Sequence, residues 1–334
     1  MDWLNEHVSN TKLSGNKGGV ENLILWLGNN NVLGTALSLK PNQTTTVKKG
    51  GIELLPHQLS HTEREFLDNG QERGWNLWRP DHFKAEYEEL IQRVDANMSR
   101  NSSDVDWKVF VANVPHVTII PLVKGLGEKS VIKRPDRSGN VVERIYFKYY
   151  GYFFLEENDL DAGWNYLTLQ DAIFIDDSID EYNKSIDAIL NQYNANHGKQ
   201  RYFLVDINDA LSKLAWKRNK GMPTYKLPTP IEFKYPPVNT KYYNAAFNGK
   251  KNVLKDGGIF SLDGVHPTAI GQGIIATEFL KVMASAGVQN AAGALNWESI
   301  LQSDSLYQSP LALVKELYQH NEFIDLFKRF GKIF

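Results

Sequence analysis

Cysteine is absent from all 334 residues. That excludes disulfides, thiolate nucleophiles and cysteine-ligated metal centres, and it leaves the redox compartment open. Net charge is nearly absent as well: 37 basic residues against 39 acidic ones leave −2. So balanced a chain carries no electrostatic footprint for nucleic acid or an anionic membrane surface. No apolar run approaches the ~20 residues of a membrane span. Met1-Asp2-Trp3-Leu4-Asn5-Glu6 lacks the charged-then-apolar order of a secretory signal. That leaves the compartment unassigned, because a start further upstream would make the absence uninformative. Internal repeats are missing too. What the chain does have is 42% hydrophobic residues, enough for a sizeable core in one large domain or two ordinary ones.

The apolar runs are short, and their spacing separates strands from helices. Three continuous β-rich runs predict strands at 23–27, 108–112 and 202–206, buried on both faces. Helical spacing predicts helices at 80–98 (Phe83, Tyr87, Leu90, Ile91, Val94, with Asp81 placed to cap), 168–195 (Ile175, Ile179, Tyr182, Ile186) and 269–284 (Ile270, Ile274, Phe279, Met283). A short helix is expected within 1–20, and another from Val32 that Pro41 ends. Alternating strands and helices predict a parallel α/β sheet with crossover helices. Residues 121–170 read as an insertion, with a hairpin over 133–154 turning at Asp136-Arg137-Ser138-Gly139. Clustered aromatics in it, Tyr146 to Phe154, serve packing, or a lid or substrate wall if they flank an active site. Residues 217–258 read as a long loop, and Leu311–Tyr318 and Phe323–Phe330 as short helices.

Several motif-like stretches lead nowhere. His57 and His61 stand four apart, but Pro56 and the lack of an apolar face argue against the helix that a metal pair needs. Gly125-Leu126-Gly127-Glu128-Lys129-Ser130 lacks the glycine spacing and following helix of a phosphate loop. Asn158-Asp159-Leu160-Asp161-Ala162-Gly163 has calcium-like acids and no closing glutamate. No metal and no cofactor are expected.

Two stretches carry chemistry. Asp263-Gly264-Val265-His266-Pro267 places a carboxylate and an imidazole three residues apart, in a loop that feeds a helix. A carboxylate beside an imidazole fixes its tautomer and stabilises it once protonated. Gly28-Asn29-Asn30-Asn31 ends the first strand, where ligands bind in open α/β sheets. Taken alone, each also fits a surface turn.

Together the two stretches resemble the SGNH hydrolases, the GDSL esterase/lipase family. Gly28-Asn29-Asn30-Asn31 is similar to that family's G-x-N-D block, and Asp263-Gly264-Val265-His266 to its D-x-x-H block, in the same order. Asn31 stands where the family has Asp, and no G-D-S precedes Asn30. The resemblance implies a three-layer α/β/α sandwich with a parallel, flavodoxin-like sheet, N-terminally incomplete and carrying a β-hairpin insertion. It implies one domain over 1–285, with insertions at about 40–106 and 121–165, and a C-terminal helical extension over 286–334.

The same resemblance implies a carboxylic-ester hydrolase that transfers an acyl group to water through a serine. His266 would be the base, Asp263 its orienting acid, and Asn30, with Gly28 as a second candidate, the oxyanion-hole donor. His116, just beyond the second strand, is the rival base; with nothing local to orient it, a structural or substrate-lining role is expected. The nucleophile is unknown. G-x-S-x-G is absent, which removes the α/β-hydrolase alternative. Ser14 and Ser38 are the serines near the first strand, and Ser261 lies on the same segment as His266. Impaired activity is therefore expected, and the alternative is a non-catalytic binding module that keeps the crevice. The expected partner is a small-molecule ester, with self-association through an exposed edge at Leu23–Leu27.

Overall fold

A computed structural model describes residues 2–9, 19–101, 106–135, 139–219, 224–228, 259–261, 263–293 and 295–304. Helix α1 (Asp2–Ser9) packs Leu4 and Val8 into the core. Strand β1 (Asn22–Leu25) leads through Gly28 into α2 (Asn30–Ser38), which ends on Leu39 in the left-handed region at φ 51°. A small hairpin follows, β2 (Val47–Lys49) with β3 (Ile52–Leu54), and then the short α3 (His61–Glu65). Ser60 and Glu63 cap α3 reciprocally, each satisfying an N–H that the first turn leaves without a partner.

Helix α4 (Pro80–Met98) starts with proline at its first turn, where the missing N–H costs nothing. Its cap residue is Arg79, which makes no side-chain cap bond. The expected cap Asp81 lies two residues past the cap, within the first turn, and instead receives the Arg79 guanidinium at 3.0 Å. Strand β4 (Lys108–Ala112) is buried along nearly its whole length. Helix α5 (Leu169–His197) is bounded by a Thr168/Asp171 capping box and by Gly198 at φ 63°.

Strand β8 (Tyr202–Val205) completes a three-stranded parallel sheet in the order β1-β4-β8. Ile24 pairs with Phe110 and Phe110 with Phe203, whose ring stacks on it at 5.3 Å. Helices α6 (Ile207–Leu214), α7 (Ala269–Ser285) and α8 (Trp297–Ser303) follow. The fold is thus mixed α/β, with one parallel and two antiparallel sheets among the described residues. One hydrophobic core runs from Leu4 of α1 to Trp297 of α8, whose ring lies over Gly273 of α7. No helix among the described residues is long and apolar enough to cross a membrane.

Burial of β1 on both faces is not observed. Leu23 and Leu25 are half-buried, while Ile24 and Leu27 are 54% and 51% exposed. The reason is position: among the described residues β1 is the end strand of its sheet, with only β4 beside it.

The insertion hairpin is longer than expected. β5 (Val123–Pro135) and β6 (Val141–Tyr152) pair from Val123/Tyr152 out to Pro135/Val141, and the short β7 (Leu167–Thr168) adds to β6. Most of its expected turn, 136–138, lies outside the described residues. Gly125 and Gly127 belong to β5. A Cβ on Gly125 would meet the Phe147 ring at 2.3 Å, and Gly127 takes φ 73° at the bulge after Leu126. These glycines serve strand packing and a bulge. Asn158–Gly163 forms a 3₁₀ turn over Glu157–Ala162. His57 lies 3.6 Å from Glu89 and His61 3.2 Å from Glu65. Most of the expected loop 217–258 and both expected helices, at 311–318 and 323–330, lie outside the described residues, as does Ser14.

Candidate active site

The loop from Ile259 to Thr268 is a tight, locally bonded unit. Phe260 and Pro267 form a bridge, Ser261 N–H donates to the His266 carbonyl at 2.7 Å, and Thr268 N–H donates to the Ile259 carbonyl at 2.8 Å. Gly264 turns the chain at φ 67°, a region that favours glycine. Thr268 then caps α7, its Oγ1 accepting from Gly271 N–H. Gly271 lies so close to Ile259 that a Cβ there would stand 2.2 Å from its carbonyl oxygen. Helix and loop are therefore seated on each other by a contact that only glycine permits.

Asp263 is the hub of this loop. Its Oδ1 accepts from Ser261 Oγ (2.6 Å) and from the backbone N–H groups of Val265 (2.8 Å) and His266 (2.9 Å). Its Oδ2 lies 2.5 Å from His266 Nδ1. Partial burial pushes the Asp263 carboxyl up, but the bonds from Ser261, the His266 ring and the two backbone N–H groups outweigh it and hold the group at about 2. The carboxylate is therefore ionised throughout the neutral range and accepts from Nδ1–H. The imidazole itself is 77% exposed, and Nε2 has no hydrogen-bond partner among the described residues. Such a ring is oriented on one side and open on the other.

Gly28 and Asn30 sit on the β1–α2 turn. Gly28 has φ 112°, and a Cβ there would stand 3.1 Å from both Phe83 and Val114. Its carbonyl accepts from Asn31 N–H at 3.1 Å. Asn30 is the first residue of α2 and is exposed. Asn31, where the resembled motif has Asp, donates its Nδ2 to Glu86 Oε2 at 2.8 Å.

Both loops contact the segment that follows β4: Gly28 abuts Val114, and Leu122 N–H donates to the Gly264 carbonyl at 3.1 Å. No hydrogen bond, ion pair or ring contact joins Asn30 to Asp263 or His266 among the described residues. The structure thus brings Asp263 and His266 together directly, and the Asn30 turn only onto the same connecting segment.

His116 has a partner that local sequence does not reveal. Its side chain is 1% exposed, with Nε2 2.9 Å from Asp180 Oδ1 and Nδ1 3.4 Å from Ser212 Oγ. Arg144 of β6 holds the other Asp180 oxygen at 3.1 Å. One turn earlier on α5, the fully buried Asp176 accepts from Thr118 Oγ1 (2.6 Å), Tyr146 Oη (2.8 Å) and Arg218 (2.8 Å). Burial alone would raise both carboxyls. For Asp180, the His116 and Arg144 bonds and charges overcome it and bring the group to about 2. For Asp176, His116, Arg218 and the hydroxyl donors lower it. Lys217, 2% exposed, donates to the carbonyls of Thr118 (2.9 Å), Ile120 (2.9 Å) and Val123.

Sequence reasoning missed this network. One signal existed: Asp176 and Asn183 lie within the stripe formed by Ile175, Ile179, Tyr182 and Ile186, where a polar side chain must be buried and bonded.

Of the serines weighed as nucleophiles, Ser38 Oγ donates to the Gly34 carbonyl at 2.9 Å, and Ser261 Oγ is taken by Asp263. No protein-family model matches the chain, and no curated protein matches it.

Proposed function

We propose that this chain carries the acid–base half of an SGNH-type carboxylic-ester hydrolase. One observation supports the assignment most: Asp263 holds His266 Nδ1 at 2.5 Å while the rest of the ring stays exposed. In this reading Nε2 of His266 takes the proton of a serine hydroxyl as that oxygen attacks the ester carbonyl. Asp263 stabilises the imidazolium so formed, and the proton passes to the leaving alcohol. Asn30 Nδ2, with the Gly28 N–H, donates to the tetrahedral oxyanion, a contact worth ~3 kcal/mol in comparable sites. The domain would be a three-layer α/β/α sandwich.

The occupied serines favour a second reading. With Ser38 and Ser261 bonded elsewhere, the chain would act as a binding module that keeps the crevice without turnover.

One experiment separates the two. The purified chain is incubated with p-nitrophenyl butyrate and with a fluorophosphonate probe, alongside Asp263→Asn and His266→Ala. An esterase gives turnover that both substitutions cut by at least a hundredfold, together with a labelled serine. Turnover that both variants retain, or labelling that ignores them, overturns the acid–base assignment. Absence of turnover and label in the wild type overturns a complete esterase in this chain and leaves the acid–base half without a serine, or the binding module.

A further inference from the structure

The Gly264 carbonyl, within the Asp263–His266 loop, accepts from Leu122 N–H at 3.1 Å, and the Leu122 carbonyl accepts from Phe153 N–H at 2.9 Å. Two hydrogen-bonded steps of this kind keep the Phe153 backbone within about 10 Å of Gly264, since each step spans at most about one inter-strand spacing. An aromatic row begins there. The Phe153 ring meets Phe154 edge-on at 5.2 Å; Phe154 stacks on Tyr152 at 5.7 Å and stands edge-on to Trp164 at 5.6 Å.

This row has its own foundation. Leu126, Leu155, Leu160 and Trp164 form a small buried cluster, distinct from the main core, against which Tyr152 and Phe154 pack. Tyr152 Oη donates to the Leu37 carbonyl at 2.8 Å, tying the row to α2, where the Leu37 side chain is 48% exposed. Yet Tyr152, Phe153 and Phe154 are each only half-buried. Tyr152 and Phe154 are thus braced from beneath and Phe153 against the edge of Phe154, with part of each ring's surface left in water. Burying that remaining surface against an alkyl chain is favourable in proportion to the area covered, and rings already fixed by packing lose little freedom in doing so.

We infer that Tyr152, Phe153 and Phe154 form an apolar subsite beside the Asp263–His266 pair, which takes the alkyl chain of a medium-length carboxylic ester. The ester class rests on the function proposed above; the apolar subsite does not.

The test measures binding of methyl acetate, butyrate, hexanoate and octanoate to the full chain by saturation-transfer NMR. The expected Kd falls about fourfold per methylene, the fold-change that burial of one CH₂ confers. Phe153→Ser should flatten this dependence. Phe154→Leu, which keeps apolar bulk over Trp164 and so preserves the fold, should weaken it in part. His266→Ala should leave it intact while abolishing any turnover of p-nitrophenyl butyrate. Kd values that ignore chain length in the wild type, or a dependence unchanged in both Phe153→Ser and Phe154→Leu, overturn the subsite. Chain-length-dependent binding alongside turnover indifferent to His266 would remove the acid–base assignment and leave the subsite standing.

Discussion

His116 and Asp180 lie 64 residues apart in sequence and 2.9 Å apart in the fold, imidazole Nε2 against carboxylate Oδ1. With Arg144 on the other Asp180 oxygen, this contact pins three elements together: the segment after β4, helix α5 and the insertion hairpin. Asp180→Asn should therefore act far beyond one hydrogen bond, leaving Arg144 without its counter-charge and His116 without its carboxylate partner. Removing one partner of a buried pair costs ~3–5 kcal/mol. Urea unfolding of the variant against wild type measures it; a loss under 1 kcal/mol would show that the pair is not integral to the core.

The same carboxylate sets an acid limit. Its pKa is held at about 2 in the folded chain, below the ~3.9 of an unfolded aspartate. A depressed carboxyl contributes stability that is fully present above the unfolded value and is lost as pH falls through the folded one. Asp180 should thus supply about 2 kcal/mol at pH 7 that disappears between roughly pH 4 and pH 2. Folding free energies measured at pH 7, 4 and 3 for wild type and Asp180→Asn should converge as pH falls.

Gly28 occupies a conformation closed to other residues, at φ 112° with Phe83 and Val114 both 3.1 Å from where a Cβ would stand. Gly28→Ala should cost about 1–3 kcal/mol and shift the neighbouring Asn30. Thermal unfolding gives the first quantity; chemical-shift changes confined to the β1–α2 turn and its Phe83 and Val114 contacts give the second. A variant as stable as wild type would mean that the turn relaxes freely.

Lys217 gathers three backbone carbonyls of the segment 118–123 around one ammonium. Lys217→Met keeps the stem and removes the donors, leaving three acceptors to find new partners. Burial pushes the lysine pKa well down, with Arg218 beside it adding to the effect, so loss of the cation is itself a gain. The net expectation is a loss of about 1–3 kcal/mol, with faster amide exchange at Leu122, whose N–H holds Gly264. Unchanged exchange there would separate Lys217 from the Asp263–His266 loop.

What the sequence settled on its own was local. Helices α4, α5 and α7 lie within a few residues of where spacing puts them, because apolar stripes act within one or two turns, whereas the cap read at Asp81 is not the one the fold uses. The Asp263–His266 contact was legible for the same reason: three residues, a glycine turn and a proline leave the side chains little choice. Burial of the first strand was not legible from its own residues; the exposed edge at Leu23–Leu27 was expected only through the family resemblance. A run of five apolar residues at 23–27 reads alike for a central or an end strand, and only the order β1-β4-β8 leaves Ile24 in water. Nor was the buried network. Lys217 meets its carbonyls across 94 to 99 residues and His116 its carboxylate across 64, and charges so distant are brought together by the packing of whole elements rather than by local preference. Burial then makes those contacts obligatory, since an enclosed charge persists only where the fold supplies its partner.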